Sequence, residues 1–149
     1  TVIVMTSNAG SENKEKALGF GRDSYALEKD KVYKALAQFL RPEFIGRVDE
    51  IVVFSALDVD ALTKISELML NEIKEPLTDR GIEFSFDENA KSALAQMSVN
   101  KPRGARELRN AIRRNVEDKI TDMLVENFDN PPTKIAVSAK DGEIIINTK

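Results

Sequence analysis

The sequence of 149 residues contains neither cysteine nor histidine. Zinc sites built from those two residue types, thiol chemistry, disulfide scaffolds and histidine-based catalytic triads are therefore excluded. A chain without cysteine suits a reducing compartment, and we expect a cytoplasmic protein.

Long apolar runs are also missing from the sequence. No segment approaches the roughly 20 consecutive apolar residues that a membrane-spanning helix needs, so we expect no membrane partner. Residues 1–5 are apolar but lack the basic flank and the cleavage site of a signal peptide. Because the chain opens directly on a strand-like segment without an initiating methionine, we expect it to be part of a longer protein.

The two sequence motifs that hold nucleotide phosphates and their metal ion are absent. None of the seven glycines stands in a GxxxxGK(S/T) arrangement, so no loop of this type can wrap a phosphate in backbone amides. Asp49 and Glu50 precede an apolar strand instead of following one, which is the wrong side for carboxylates that hold Mg²⁺. We therefore expect no nucleotide hydrolysis by this chain alone.

Hydrophobic residues make up 42% of the chain and charged residues 32%, a balance typical of a globular, helix-rich protein. Two short apolar runs, Val2–Met5 and Ile51–Phe54, predict strands buried on both faces. Between them, apolar spacing over Leu27–Leu40 predicts a helix whose end is marked by Pro42. Two strands are too few for a sheet, so we expect residues 1–56 to be an incomplete part of an α/β domain.

Residues 57–149 contain the signals of a self-sufficient α+β unit. Asp58 and Asp87 are each placed to cap a helix, and a further long helix follows Gly104. The apolar faces of the first and third of these helices are predicted at Leu62, Ile65, Met69, Ile73 and Leu77, and at Leu108, Ile112, Val116, Ile120 and Leu124.

Strand signals complete the unit. Alternating residues over Ile82–Phe86 predict a strand, and Asp141-Gly142 between two apolar runs predicts the turn of a hairpin. The predicted fold class is thus mixed α/β: part of a larger α/β domain, then a small helical domain with a short sheet.

Three polar residues stand where packing does not need them: Asn8, Arg47 and Arg106. Asn8 follows a predicted strand and could orient a water or contact a phosphate oxygen, or it could simply form a turn. Arg47 could reach a phosphoryl group on a neighbouring molecule, or it could pair with Asp49 or Glu50.

Arg106 falls in the first turn of a predicted helix. The amino end of a helix is positive, so an arginine there is unfavourable unless an anion binds. Arg106 belongs to a run with Arg103, Arg109, Arg113 and Arg114, which could suggest a nucleic-acid contact. No aromatic residue interleaves with the run and the net charge is −3, so we expect no nucleic-acid partner.

Three segments together resemble the second ATPase module of the Clp unfoldases of the AAA+ family. TVIVMTSNAG resembles its sensor-1 strand and turn, RPEFIGRVDEIVVF its arginine-finger segment and GARELRNAI its sensor-2 helix. They occur in the family's order and at its spacing. Two positions depart from the common pattern: Gly46 stands where the family commonly has Asn, and Glu107 where many members have Pro.

The resemblance implies roles for these residues in an ATP-driven, homo-hexameric unfoldase of protein substrates. Asn8 would be the sensor-1 amide, Arg47 the finger that acts on ATP held by the adjacent subunit, and Arg106 the sensor-2 contact to the nucleotide. Mg²⁺ would be held by residues of the complete module that this chain lacks. Residues 1–56 would be the end of the large AAA+ subdomain, and residues 57–149 the small lid subdomain.

Residues 11–27 lack periodicity and predict a loop, which contains the apolar tripeptide Leu18-Gly19-Phe20. An exposed tripeptide of this kind is costly unless a partner receives it, although Leu18 and Phe20 could also pack on their own domain. In the Clp members that work with a protease, a similar tripeptide docks on the ClpP peptidase, which implies a ClpC-like or ClpE-like parent. The alternative function is a stand-alone interaction or adaptor module with the same lid fold.

Overall fold

A computed structural model of the chain describes residues 1–9, 23–54, 56–99, 101 and 103–149, with residues 23–28 described by their backbone alone. The chain divides into two compact units, residues 1–55 and 56–149. Helices and one three-stranded sheet make up the described regular structure, which confirms the mixed fold class.

The described part of the first unit contains two helices, α1 at Asp23–Leu36 and α2 at Pro42–Ile45. The helix α1 begins and ends earlier than the predicted helix, so the predicted loop is wrong over residues 23–27. Pro42 begins a helix instead of marking the end of one. Its fixed φ angle suits the first helical position, where its missing N–H is not needed.

The two strands predicted in the first unit do not form. Val2–Met5 and Ile51–Phe54 have no strand pairing, and Val2 and Phe54 are 90% and 89% exposed. A strand needs neighbours for its N–H and C=O groups, and the described part of this unit offers no other strand. The prediction of buried strands is therefore wrong for this chain by itself.

Two capped helices open the second unit: α3 at Val59–Thr78 and, after the strand β1 at Glu83–Phe86, α4 at Glu88–Ser98. Asp58 accepts a hydrogen bond from the Ala61 N–H at 2.8 Å, and Asp87 accepts one from the Ala90 N–H at 2.7 Å. Both predicted caps are thus confirmed, and each satisfies a backbone donor that the first helical turn cannot.

The predicted third helix is interrupted by a wide turn. The helix α5 spans Ala105–Ile112, a π-helical segment spans Arg113–Glu117, and α6 spans Asp118–Glu126. In the π segment the Asp118 N–H donates to the carbonyl of Arg113, five residues back.

The sheet has the order β1-β2-β3, with β2 at Lys134–Lys140 and β3 at Glu143–Thr148. The strands β2 and β3 form the predicted hairpin, turned by Asp141 and Gly142 with φ angles of 54° and 82°. Parallel pairing of β1 with β2 was not predicted. At the outer strand β3, the Lys119 ammonium donates to the Ile144 carbonyl at 3.3 Å.

One hydrophobic core holds the second unit together. It takes residues from every helix and strand of the unit, and the largest apolar side chains that are fully buried are Leu62, Leu70, Leu94, Leu108, Ile112, Val116, Ile135 and Val137. On the predicted face of α3, Leu62 and Leu77 are buried, while Ile65, Met69 and Ile73 are partly buried against this core. The core fixes α5 against α3 and α4, and so fixes the position of Arg106.

Candidate anion-binding site

The first turn of α5 depends on a glycine. Gly104 has φ 49° and ψ −120°, a combination that side-chain-bearing residues rarely adopt. A Cβ built there would meet only the Leu57 Cδ1, at 3.7 Å, so backbone conformation and not space requires glycine. The N-cap residue Gly104 offers no side chain to cap this end of the helix, whose first turn contains one acidic residue, Glu107.

Arg106 lies in that first turn with its side chain exposed, at the edge of a groove of about 370 Å³. The groove is lined by one residue of α3 and five residues in and just before α5: Met69, Arg103, Ala105, Arg106, Arg109 and Asn110. Three arginines at the start of α5 therefore line one groove together with Met69 and Ala105.

The positive charge of this groove is only partly neutralised. Arg109 Nη2 lies 3.5 Å from Glu72 Oε2, with the two side chains 62% and 63% exposed. A pair this exposed contributes little because water screens it. Within the described part of the chain, neither Arg103 nor Arg106 forms an ion pair. The arrangement can bind an anion with apolar or planar surface beside it.

Asn8 and Arg47 lie in the first unit. Ser7 Oγ accepts a hydrogen bond from the Ala9 N–H at 3.1 Å, which forms a tight turn around the exposed Asn8. Arg47 follows α2, and its N–H donates to the Phe44 carbonyl at 3.0 Å while its side chain is exposed. Among the residues that the structure describes, Arg47 has no carboxylate partner, so the alternative pairing with Asp49 or Glu50 is not formed.

The tripeptide Leu18-Gly19-Phe20 lies outside the described residues. Over the ranges that are described, no group of acidic side chains could hold a metal ion. The same ranges contain no helix that is both long enough and apolar enough to cross a membrane.

Sequence reasoning singled out Arg106 but missed most of its surroundings. Met69 and Glu72 come from α3, more than thirty positions earlier in the chain, and no local pattern connects them with α5. Arg103 and Arg109 were visible as members of an arginine run, but only the folded helix places both beside the same groove as Arg106.

Two family models match the chain. Residues 1–51 match the AAA domain (Cdc48 subfamily), and residues 57–137 match the C-terminal, D2-small domain of ClpB protein.

Similar curated proteins carry Clp names. The ATP-dependent Clp protease ATP-binding subunit ClpE of Bacillus subtilis is 38% identical over 149 residues, which are 100% of this chain and 21% of ClpE. The negative regulator of genetic competence ClpC/MecB of the same organism is 34% identical over 99% of this chain and 19% of its own length. The chaperone protein ClpB of Aquifex aeolicus is 33% identical over 100% of this chain and 15% of its own length.

The chain thus spans about a fifth or less of the length of these curated relatives. The D2-small match alone covers more than half of the chain, and the AAA match covers most of the remainder. On these grounds the chain belongs to the Clp family of AAA+ proteins.

Proposed function

We propose that this chain is the C-terminal part of the second ATPase module of a Clp-type unfoldase, where it senses nucleotide and transmits hydrolysis between subunits. The observation that carries the proposal is Arg106, exposed without an ion pair among the described residues in the first turn of an uncapped helix. The match of residues 1–51 to an AAA domain favours this function over a stand-alone adaptor.

Arg106 is the residue that contacts the phosphates of ATP in this proposal. The guanidinium can donate two parallel hydrogen bonds to phosphate oxygens, and the positive end of α5 strengthens the attraction. Met69 supplies an apolar wall beside it. When ATP becomes ADP, the loss of a phosphoryl group weakens this contact, so the second unit responds to the state of the nucleotide.

Asn8 and Arg47 act on the same reaction from the first unit. Asn8 orients the attacking water or contacts the terminal phosphate. Arg47 reaches the ATP of the adjacent subunit in a homo-hexamer, where a guanidinium stabilises the charge that develops on the transferring phosphoryl group. Its exposure and its lack of an ion pair in the described part of the chain support this role.

The other functional elements of the ATPase belong to the remainder of the parent protein. Because the sequence has no GxxxxGK(S/T) motif, the phosphate loop and the Mg²⁺ ligands are supplied by preceding parts of the module. The substrates are unfolded proteins, and the parent works in the cytoplasm. Leu18-Gly19-Phe20 docks on a ClpP-type peptidase, as the resemblance of this tripeptide to the docking loop implies.

The proposal is tested by ATPase rates of the full-length parent with Arg106→Ala or Arg47→Ala. We expect turnover to fall at least about a hundredfold for each, because each removes a charge that stabilises the transferred group. The matched controls are Arg114→Ala on the π segment and Arg41→Ala beside α2, both exposed arginines. The proposed roles of Arg106 and Arg47 are contradicted if the control variants lose as much ATPase activity as the test variants, or if Arg106→Ala leaves the rate unchanged.

The action of Arg47 across subunits has its own test. In rings mixed from Arg47→Ala subunits and subunits whose phosphate-loop lysine is replaced, an Arg47→Ala subunit regains turnover wherever an intact Arg47 comes from its neighbour. No recovery above the two single variants contradicts the action in trans.

A further inference from the structure

The buried residues of α5, the π segment and α6 follow an unusual spacing. Leu108, Ile112, Val116 and Ile120 are four residues apart and are 0%, 1%, 0% and 3% exposed. A regular α-helix turns about 100° per residue, so each step of four advances by about 40°. Ile120 would then lie about 120° around the helix from Leu108 and could not share its core.

The π segment removes this conflict. Its wide turn accommodates one extra residue, which sets the following helix back by about 100°. Ile120 then returns to within about 20° of Leu108, as the burial of both requires. The π segment therefore sets the angle between α6, which follows it, and α5, which carries Arg106.

Asn115 occupies the middle of the π segment. Asparagine is a poor residue for a helix interior because its side chain competes for backbone hydrogen bonds. Here the Asn115 Nδ2 donates to the Ala111 carbonyl at 2.8 Å and lies 3.9 Å from the Met97 Sδ of α4. The side chain is half-buried and bridges the turn that the backbone has widened.

We infer that Asn115 is a positioning residue for Arg106: its amide holds the π turn, and the π turn fixes the angle at which α5 presents Arg106 to its anion. The inference rests on the proposed function, because it assigns Arg106 to nucleotide phosphates. When the amide is absent, the buried residues before and after the turn compete for one core. The helix α5 then shifts against Met69, and the groove no longer fits the anion.

The first test compares steady-state ATP hydrolysis by the full-length parent and by its Asn115→Ala variant. We expect KM for ATP to rise about threefold or more while kcat falls far less than the roughly hundredfold expected for Arg106→Ala, because the guanidinium remains and only its placement changes. Asn115→Ser restores KM, since its hydroxyl can donate to the carbonyl four residues back. An unchanged KM in Asn115→Ala overturns the inference, as does a failure of Asn115→Ser to restore it.

Asn127 provides the matched control. Its Nδ2 donates to the Met123 carbonyl at 2.8 Å, the same bond in length and spacing, but at the end of α6 and outside the π segment. Asn127→Ala is expected to leave KM for ATP unchanged. An equal rise in KM would mean that loss of any such bond has this effect, which overturns the inference.

Deletion of Asn115 gives a second, independent test. Removing one residue brings the four buried residues Leu108, Ile112, Val116 and Ile120 onto one face of an uninterrupted α-helix. The deletion variant of the 149-residue chain should therefore fold with an unchanged or higher Tm. In the full-length parent it should leave KM for ATP close to the parent's value, since the shorter regular helix sets Ile120 at the same angle to Leu108 as the π turn does. A folded deletion variant whose KM rises as in Asn115→Ala overturns the inference.

Amide hydrogen exchange separates failure of the inference from failure of the proposed function. In the 149-residue chain, Asn115→Ala should speed exchange of the Asp118 N–H, which bonds to the Arg113 carbonyl across the π turn, and Asn127→Ala should not. Unchanged exchange overturns the role of Asn115 whatever Arg106 does. Unchanged ATPase in Arg106→Ala, with faster exchange in Asn115→Ala, refutes the proposed function and with it the link to the nucleotide.

Discussion

Lys91 Nζ lies 3.1 Å from Glu67 Oε2 and joins α4 to α3 through a side chain that is only 8% exposed. A second carboxylate, Glu88, contacts the same ammonium at 2.6 Å from one helical turn away. Hydrogen bonds from Glu88 first and Glu67 second raise the pKa of Lys91 above its ordinary value of 10.5. The charged form of Lys91 is thus favoured in the folded state.

Replacing Lys91 by methionine keeps the apolar stem and removes the charge. We expect Lys91→Met to unfold at a lower urea concentration than the parent chain at about pH 8, because both carboxylates lose their partner. Lys64→Met, an exposed lysine of α3, should unfold like the parent. The pKa of Lys91 is raised in the folded state, so the greater stability of the parent chain over Lys91→Met is fully present below pH 10.5. This difference in stability disappears as the pH rises through the raised pKa. An advantage that persists at higher pH contradicts this assignment.

Gly104→Ala tests the backbone conformation that starts α5. The positive φ of 49° costs about 1–3 kcal/mol for a residue with a Cβ, so we expect that loss in the free energy of unfolding by urea titration. Gly46→Ala is the control, because Gly46 has a helical φ of −68°. If Gly104→Ala is as stable as the parent, glycine is not required at the start of this helix.

Two leucines of α3 have the same side chain but differ in burial, so their alanine variants test how much burial stabilises the fold. Leu70 is 0% exposed and Leu68 is 66% exposed. Leu70→Ala should lower the free energy of unfolding by about 2–5 kcal/mol, because it leaves a cavity in the core. Leu68→Ala should change it by less than about 0.5 kcal/mol. Similar losses in both variants would contradict the packing described for α3.

The proposed peptidase contact is tested with Leu18→Ala and Phe20→Ala in the full-length parent. We expect ClpP-dependent degradation of an unfolded substrate to fall strongly while ATPase activity is retained. The physical reason is the loss of apolar area from a small docking segment. Unchanged degradation contradicts docking, and equal loss of ATPase activity indicates a structural role of the two residues in their own subunit.

Local sequence signals were sufficient to predict much of the secondary structure of the second unit. The carboxylates of Asp58 and Asp87 and the Asp141-Gly142 turn act within a few residues, so their short-range chemistry could be recognised in the sequence. The parallel pairing of Phe84 with Ile135 joins segments about fifty residues apart, and no local pattern predicts it.

The π segment was predictable in principle from the spacing of the buried residues. A spacing of four predicts one long helix only over a short stretch, and here it runs through Leu108, Ile112, Val116 and Ile120. A regular helix cannot keep that spacing on one face for so many turns. The failed strands at Val2–Met5 and Ile51–Phe54 have a different cause: their pattern is that of a strand, but pairing needs partners that the described chain does not contain.

The hydrogen bond from the Lys119 ammonium to the Ile144 carbonyl occupies part of the outer edge of the sheet. Lys140 and Glu143 flank a two-residue turn and pair with each other, so the N–H and C=O of Ile144 point away from β2. Without this hydrogen bond, the open edge of the sheet at Ile144, Ile145 and Ile146 could pair with an extended segment of another chain. The Lys119 ammonium occupies this edge and hinders such pairing, so the fold carries its own protection against strand addition at β3.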